Sequence, residues 1–172
     1  MKTLLAATSF ISILIMLVVG VWLVGNAPGK FKVVFLDVGQ GDAIFIQTPD
    51  RYQVLIDTGI GKSVVSELGS VMRPWDRSLD LVVITHPDAD HYGALADVFA
   101  QYEVDRVIDN GFYFHPDFAD YRDLIETEGA AHTHPGDGHT ILTADGTLFT
   151  FLSVPAYGTD RKSTRLNSSH QI

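Results

Sequence analysis

Cysteine is absent from the 172-residue chain. That excludes disulfide scaffolds, thiolate zinc ribbons, cysteine nucleophiles, iron–sulfur clusters and a lipid anchor on an N-terminal Cys. Any metal must be held by imidazole and carboxylate, and the sequence offers 7 His for that purpose. Basic residues are scarce: 12 Lys and Arg stand against 21 Asp and Glu, a net charge of −9. With no basic surplus to neutralise a phosphate backbone, a passive nucleic-acid coat is excluded. Internal repeats are absent as well. The length suits one domain with its own core plus an appendage.

Charge is missing altogether from residues 4–25, where Leu, Ile, Val, Ala, Met and Trp dominate. As a helix these 22 residues would span roughly 33 Å at about 1.5 Å per residue, enough to cross a bilayer. We expect a single transmembrane helix within residues 1–27, with the membrane contacted through residues 4–25. The competing readings are a cleaved signal peptide, since Gly25 and Ala27 are small, and a buried core helix. Typical apolar regions of signals are only about 7–15 residues, and Pro28 would follow the cut. Lys2 and the amino terminus favour a cytoplasmic N-terminus, against the opposing vote of Lys30 and Lys32. The expectation is a single-pass protein with its domain on the extracytoplasmic side, or a secreted or periplasmic domain if the signal is cleaved. Residues 26–30 (NAPGK) form the linker.

At the other end, residues 160–172 are polar, lack apolar periodicity and turn basic within a few positions. They resemble the translation of a sequencing-library adaptor and are set aside as a non-native tail, with a disordered natural tail as the rival. The domain is then expected over residues 28–159, as a partial one.

Within it, residues 31–38 (FKVVFLDV), 43–48 (AIFIQT) and 52–57 (YQVLID) are short β-branched and aromatic runs separated by turn residues, and predict three antiparallel strands. Residues 63–72 carry Val64, Val65, Leu68 and Val71 at helical spacing, and 79–84 (LDLVVI) read as a strand buried on both faces. A helix is expected over 91–102, a strand over 104–108, a helix over 118–128 and a hairpin over 141–154 with its turn at Asp145 and Gly146. Strands alternating with helices after an antiparallel start predict an α/β sheet covered by helices.

The chemistry concentrates in THPDADH, residues 85–91. His86, Asp88, Asp90 and His91 fall where a core strand stops and a helix begins, so their side chains converge with rigid support beneath. In an extended segment His86 and Asp88 point to one side and can share one ion; after the turn, Asp90 and His91 can address a second. Two ions about 3.5–4 Å apart make a bridging water into hydroxide near neutral pH and absorb the charge of the transition state. The rival reading makes Asp90 a cap for a helix beginning near His91 and Asp88 a turn former. It would win for an isolated His-x-Asp; four donors in six residues favour the metal.

THPDADH resembles the His-x-His-x-Asp-His signature of the metallo-β-lactamase fold, with Asp in place of the second His. FLDVGQGDAIFIQTPD (35–50), LIDTG (55–59), LDLVVITHPDADHYGAL (79–95) and the strand end at 152–155 are similar, in order and spacing, to the hydrolase domain of ComEC-type DNA-uptake proteins. The resemblance covers about 130 residues. It implies the N-terminal half of an αββα sandwich, preceded here by the transmembrane helix, with a two-metal centre that hydrolyses phosphodiesters such as DNA through a metal-bound hydroxide. Carried over by motif position, His86 and Asp88 would bind the first metal, Asp90 and His91 the second, with Asp90 also the catalytic carboxylate and Asp57 of LIDTG a supporting residue behind them. Zinc suits imidazole and carboxylate, while Asp88 in place of His makes the site harder and admits manganese.

The family also draws a bridging Asp and further His ligands from a later half-domain. The chain by itself is therefore expected to bind metal weakly, hydrolyse nothing measurable and be poorly soluble. His132, His134, Asp137 and His139 (HTHPGDGH) match a family stretch without ligands and are expected in a solvent-exposed loop, as is His115. No substrate-binding residue is assigned; Lys62, Arg73 and Arg77 are the candidates for a cationic rim. Two other functions stay open: hydrolysis of a lactone, thioester or β-lactam by the same fold, and a non-catalytic membrane-tethered binding domain.

Overall fold

The computed structural model describes residues 2–27, 29–86, 88–111, 119–136 and 138–152. The N-terminal segment forms helix α1 (Lys2–Asn26). Among the described residues no helix is long and apolar enough to cross a membrane. The expected transmembrane segment is thus not among the features the structure shows.

Eight of the remaining elements alternate as read from the sequence: β1 (Lys32–Phe35), β2 (Ile44–Gln47), β3 (Gln53–Ile56), α2 (Ser63–Val71), then β4 (Ser78–Leu79) and β5 (Leu81–Val83), and α3 (Ala89–Tyr92) and α4 (Leu95–Phe99). They are followed by β6 (Glu103–Val104), β7 (Arg106–Ile108), α5 (Ala119–Glu128), β8 (Ala131–Thr133), β9 (His139–Leu142) and β10 (Leu148–Phe151). The six-stranded sheet has the order β1-β2-β3-β5-β7-β8. β1, β2 and β3 are antiparallel, and β3, β5, β7 and β8 run parallel. The strand expected over 79–84 is split at Asp80, where the chain changes partners: Ser78–Leu79 pairs with β6 and Leu81–Val83 with β3 and β7, and the Asp80 carboxylate accepts the Gln53 backbone N–H at 2.7 Å. The helix expected over 91–102 is broken because the Ala94 N–H leaves the helix to donate to Gly59 O at 3.1 Å.

One face of the sheet (Phe45, Leu55, Val82, Val107) packs against Val64 and Leu68 of α2, Leu95 and Val98 of α4, and Tyr121 and Ile125 of α5. Each fully buried side chain of this size contributes about 1.5–3 kcal/mol. The other face buries Val54, Leu81 and Ile108 under Ile141, Phe149 and Phe151 of the β9–β10 hairpin. Helices, sheet and hairpin make a mixed α/β layering of the kind the αββα expectation requires. Strand β8 was not anticipated: His132 sits on it, beside β7, and not in a loop. The expected hairpin beyond Leu152, the adaptor-like tail, His115 and Asp137 lie outside the described residues.

Candidate metal centre

Strands β3 and β5 end side by side, Ile56 opposite Val83, so Asp57 and Thr85 emerge together at the C-terminal edge of the sheet. Asp57 is buried and holds a left-handed backbone (φ 57°), a conformation that Asp tolerates better than most residues because its short polar side chain can bond locally. Its Oδ1 accepts the Thr85 N–H at 2.8 Å and its Oδ2 accepts the Thr85 hydroxyl at 2.6 Å. The same Oδ2 lies 2.9 Å from His91 Nδ1. Having donated its proton to Asp57, the Thr85 oxygen can accept from His86 Nδ1, 2.9 Å away. One buried carboxylate thus sets both imidazoles, His91 directly and His86 through Thr85. Both carry the proton on Nδ1 and leave the Nε2 lone pair free, the arrangement that suits a metal-ligating histidine. Thr85 was not singled out from the sequence, where a Thr ending an apolar strand reads as an ordinary strand residue.

The four donors are gathered as two pairs. His86 Nε2 lies 3.5 Å from Asp88 Oδ2, and His91 Nε2 lies 3.8 Å from Asp90 Oδ1; the two rings are 3.7 Å apart between centroids. Two ligands about 2.0–2.2 Å from one tetrahedral ion sit about 3.4 Å from each other, so each pair has the chemistry and the spacing to share a cation. Among the described residues no group of three or more His, Asp or Glu gathers on one point. Each ion would find two donors here, one short of the three usual at catalytic zinc. The capping alternative does not describe this site. The helix starts at Ala89, the cap position belongs to Asp88, and the Asp88 side chain makes no capping hydrogen bond.

Gly41, in the GQGD turn between β1 and β2, holds the second pair in place from outside. It has φ +94°, and a Cβ added there would lie 1.9 Å from the Asp90 carbonyl oxygen. Gly39, two residues earlier, has φ +79° and open space around it. Gly39→Ala should cost only the left-handed penalty, about 1 kcal/mol. Gly41→Ala should cost about 2–4 kcal/mol by adding the clash and should weaken metal binding by moving Asp90. Urea unfolding and a metal titration on the matched pair test this; equal effects would mean that the turn does not support the site.

The other sequence candidates lie elsewhere. His132 Nε2 is 2.8 Å from Asp109 Oδ2, and Asp109, buried just past the end of β7, also accepts from Tyr121 Oη at 3.1 Å and Gly111 N at 2.7 Å. His132 is therefore a packed structural residue. His134 and His139 lie near rings, of His132 at 6.3 Å and of Phe151 at 6.0 Å between centroids. Arg73 and Arg77 are at the opposite end of the sheet from the donors, so neither can form a rim around them. Lys62 pairs with Asp97 at 3.7 Å.

The profile described as Metallo-beta-lactamase superfamily matches residues 36–160. The ComE operon protein 3 of Bacillus subtilis (strain 168) is 34% identical over 118 residues, which take in 58% of this chain and 15% of that protein; the chain spans only that small share of the relative's length. Similar solved structures include the rubredoxin oxygen:oxidoreductase of the anaerobe Desulfovibrio gigas, with a TM-score of 0.44 at 17% identity over 64% of this chain and 30% of that one. Another, described as the peroxy diiron species of chemotaxis sensor ODP, gives a TM-score of 0.48 at 17% identity over 70% of this chain and 48% of that one.

Proposed function

The chain belongs to the metallo-β-lactamase superfamily, and on that premise we propose that it is part of a divalent-metal-dependent hydrolase of phosphodiesters, held at a membrane by α1. The observation that carries the reading is the Asp57–Thr85 system, which turns both free Nε2 atoms toward carboxylates. His86 and Asp88 would hold one ion, Asp90 and His91 the other, with zinc the first choice and manganese admitted by the carboxylate share. When bound, such ions supply Lewis acidity and an acidified water. The chain's own part is positional: Asp57 fixes the tautomer and angle of both rings, and Gly41 lets the turn close on Asp90. A phosphodiester such as DNA is favoured by the resemblance of residues 35–50 and 79–95 to ComEC-type DNA-uptake proteins. An apolar cavity of about 410 Å³ beside Thr85 and Asn110, under Phe149 and Phe151, favours a small lactone or thioester as the second reading.

In the full gene product a generic phosphodiester should be turned over ahead of a lactone and a β-lactam, and chelator should abolish the reaction. His86→Ala and Asp90→Ala should do the same with the fold retained. Turnover of the lactone alone would replace the substrate class. No turnover of any of the three at saturating zinc or manganese would leave the non-catalytic tethered domain. The tether is supported by the uncharged run 4–25 and by its helical backbone, since a helix apolar on all sides belongs in a core or in lipid. Protease added to spheroplasts should digest the domain and spare α1. Protection of the domain would reverse the orientation, and a free form starting near residue 28 would mean cleavage.

A further inference from the structure

Residues 30–159 carry 8 Lys and Arg against 20 Asp and Glu, yet half of those cations meet in one place. Lys30, Lys32, Arg51 and Arg73 line, with Gln47, a cavity of about 410 Å³ that no acidic side chain borders. It lies where α1 joins the domain. Arg51 donates to the Ala27 carbonyl at 2.5 Å, Arg73 to the Gly25 carbonyl at 3.5 Å and Lys32 to the Val71 carbonyl at 2.8 Å. The two arginines thereby close the C-terminal end of α1, where cations are favoured by the helix dipole. One carbonyl uses one of the five N–H donors of a guanidinium. The rest, and the charge, remain for a ligand.

A second cavity, of about 630 Å³, shares Arg73 with the first. It is an apolar groove between Met16, Leu17 and Val21 of α1 and the Trp75 ring, with Arg73 common to both cavities. The Arg73 guanidinium sits 5.8 Å from the centre of the Trp75 ring, and Trp75 is 76% exposed. A cation-lined chamber and an apolar groove that meet at Arg73 match a molecule with an anionic head and a hydrocarbon tail. Inorganic phosphate would satisfy the first cavity and leave the second bare.

We propose that this double cavity is a binding site for an anionic phospholipid, its headgroup phosphate held by Lys30, Lys32, Arg51 and Arg73 and one acyl chain lying between α1 and Trp75. The proposal rests on the membrane-tether reading above and adds to it the lipid class and the docked face. An otherwise acidic domain is repelled by an anionic surface; the four cations give it one face that is attracted.

The chain has 2 Trp, so Trp22→Phe leaves Trp75 as the only indole. The full chain carrying that substitution is reconstituted into phosphatidylcholine vesicles with and without phosphatidylglycerol, with brominated acyl chains as quenchers. Flotation of the vesicles reports the tether, and Trp75 quenching reports the site. Quenching should be severalfold stronger with phosphatidylglycerol. It should be lost in Lys30→Gln/Lys32→Gln/Arg51→Gln/Arg73→Gln and kept when the arginines become lysines, with flotation unchanged throughout. A chain that floats but whose Trp75 is quenched equally in both vesicles, or in both variants, overturns the lipid site and leaves the tether standing. Loss of quenching in the lysine variant as well assigns the arginines to closing α1 and overturns the site. Protection of the chain against thermal unfolding by inorganic phosphate to the same degree as by phosphatidylglycerol makes it a phosphate site. A chain that does not float overturns the tether and, with it, this proposal.

Discussion

Asp57→Asn should weaken divalent-metal binding by roughly 10–100-fold while leaving the fold formed. The backbone is not the reason, because Asn accepts the left-handed conformation as readily as Asp. The amide oxygen can still accept the Thr85 N–H. What changes is the atom that replaced Oδ2: an NH₂ group now faces the Thr85 hydroxyl and His91 Nδ1, and it can only donate. His91 Nδ1 must become an acceptor, which moves the ring proton to Nε2 and occupies the lone pair a metal needs. The Thr85 hydroxyl loses its acceptor and no longer holds His86 in the same tautomer. Competition with a chromophoric chelator measures the affinity, and nitrogen chemical shifts of the imidazoles in the apoprotein report the tautomers. Unchanged affinity together with unchanged tautomers would remove Asp57 from the site. Asp57→Ala should in addition lose about 1–3 kcal/mol of stability, since the buried Thr85 N–H is left without an acceptor.

Asp109→Ala should be the more damaging change to stability, at about 2–5 kcal/mol, with little effect on the two donor pairs. The carboxylate accepts from Tyr121 Oη, His132 Nε2 and Gly111 N, and both Asp109 and Tyr121 are almost wholly shielded from solvent. Truncation removes the acceptor these three groups share and opens a void, each of which costs free energy. For a domain of this size that lowers the thermal midpoint by roughly 10 °C or more. Tyr121→Phe removes the bond to Asp109 and should cost about 1 kcal/mol. A small effect of Asp109→Ala would mean that water reaches these groups.

These two carboxylates show where reading the sequence succeeds and where it stops. The antiparallel start, α2, α5 and the hairpin turn at Asp145 and Gly146 follow from patterns within ten or so residues, and their bounds in the structure differ by a few positions only. The THPDADH motif is equally local. What the sequence hides is made by distant partners. Strand β8 is three residues long, too short for any periodicity, and exists because β7 offers it a parallel edge. The break at Asp80 comes from a change of partner strand and the break at Ala94 from its bond to Gly59. Asp109 and His132 are 23 positions apart, so a histidine in a polar run resembles a loop residue until the sheet brings the carboxylate beside it. The same holds for Thr85, whose role appears only once Asp57 stands next to it.

The polarity of the sheet also decides which way the donors look. Lys32, Gln47 and Gln53 form one end row of β1, β2 and β3, next to the point where α1 leaves. Asp57 and Thr85 extend from the opposite row, beyond Ile56 and Val83. The strands between act as a spacer of about 10–13 Å at roughly 3.3 Å per residue. That spacing separates the end of the sheet beside α1 from Asp57 and Thr85, which hold the His91 and His86 rings. With the tether and substrate proposed above, a long flexible polymer can be engaged at that far edge anywhere along its length without its ends approaching α1.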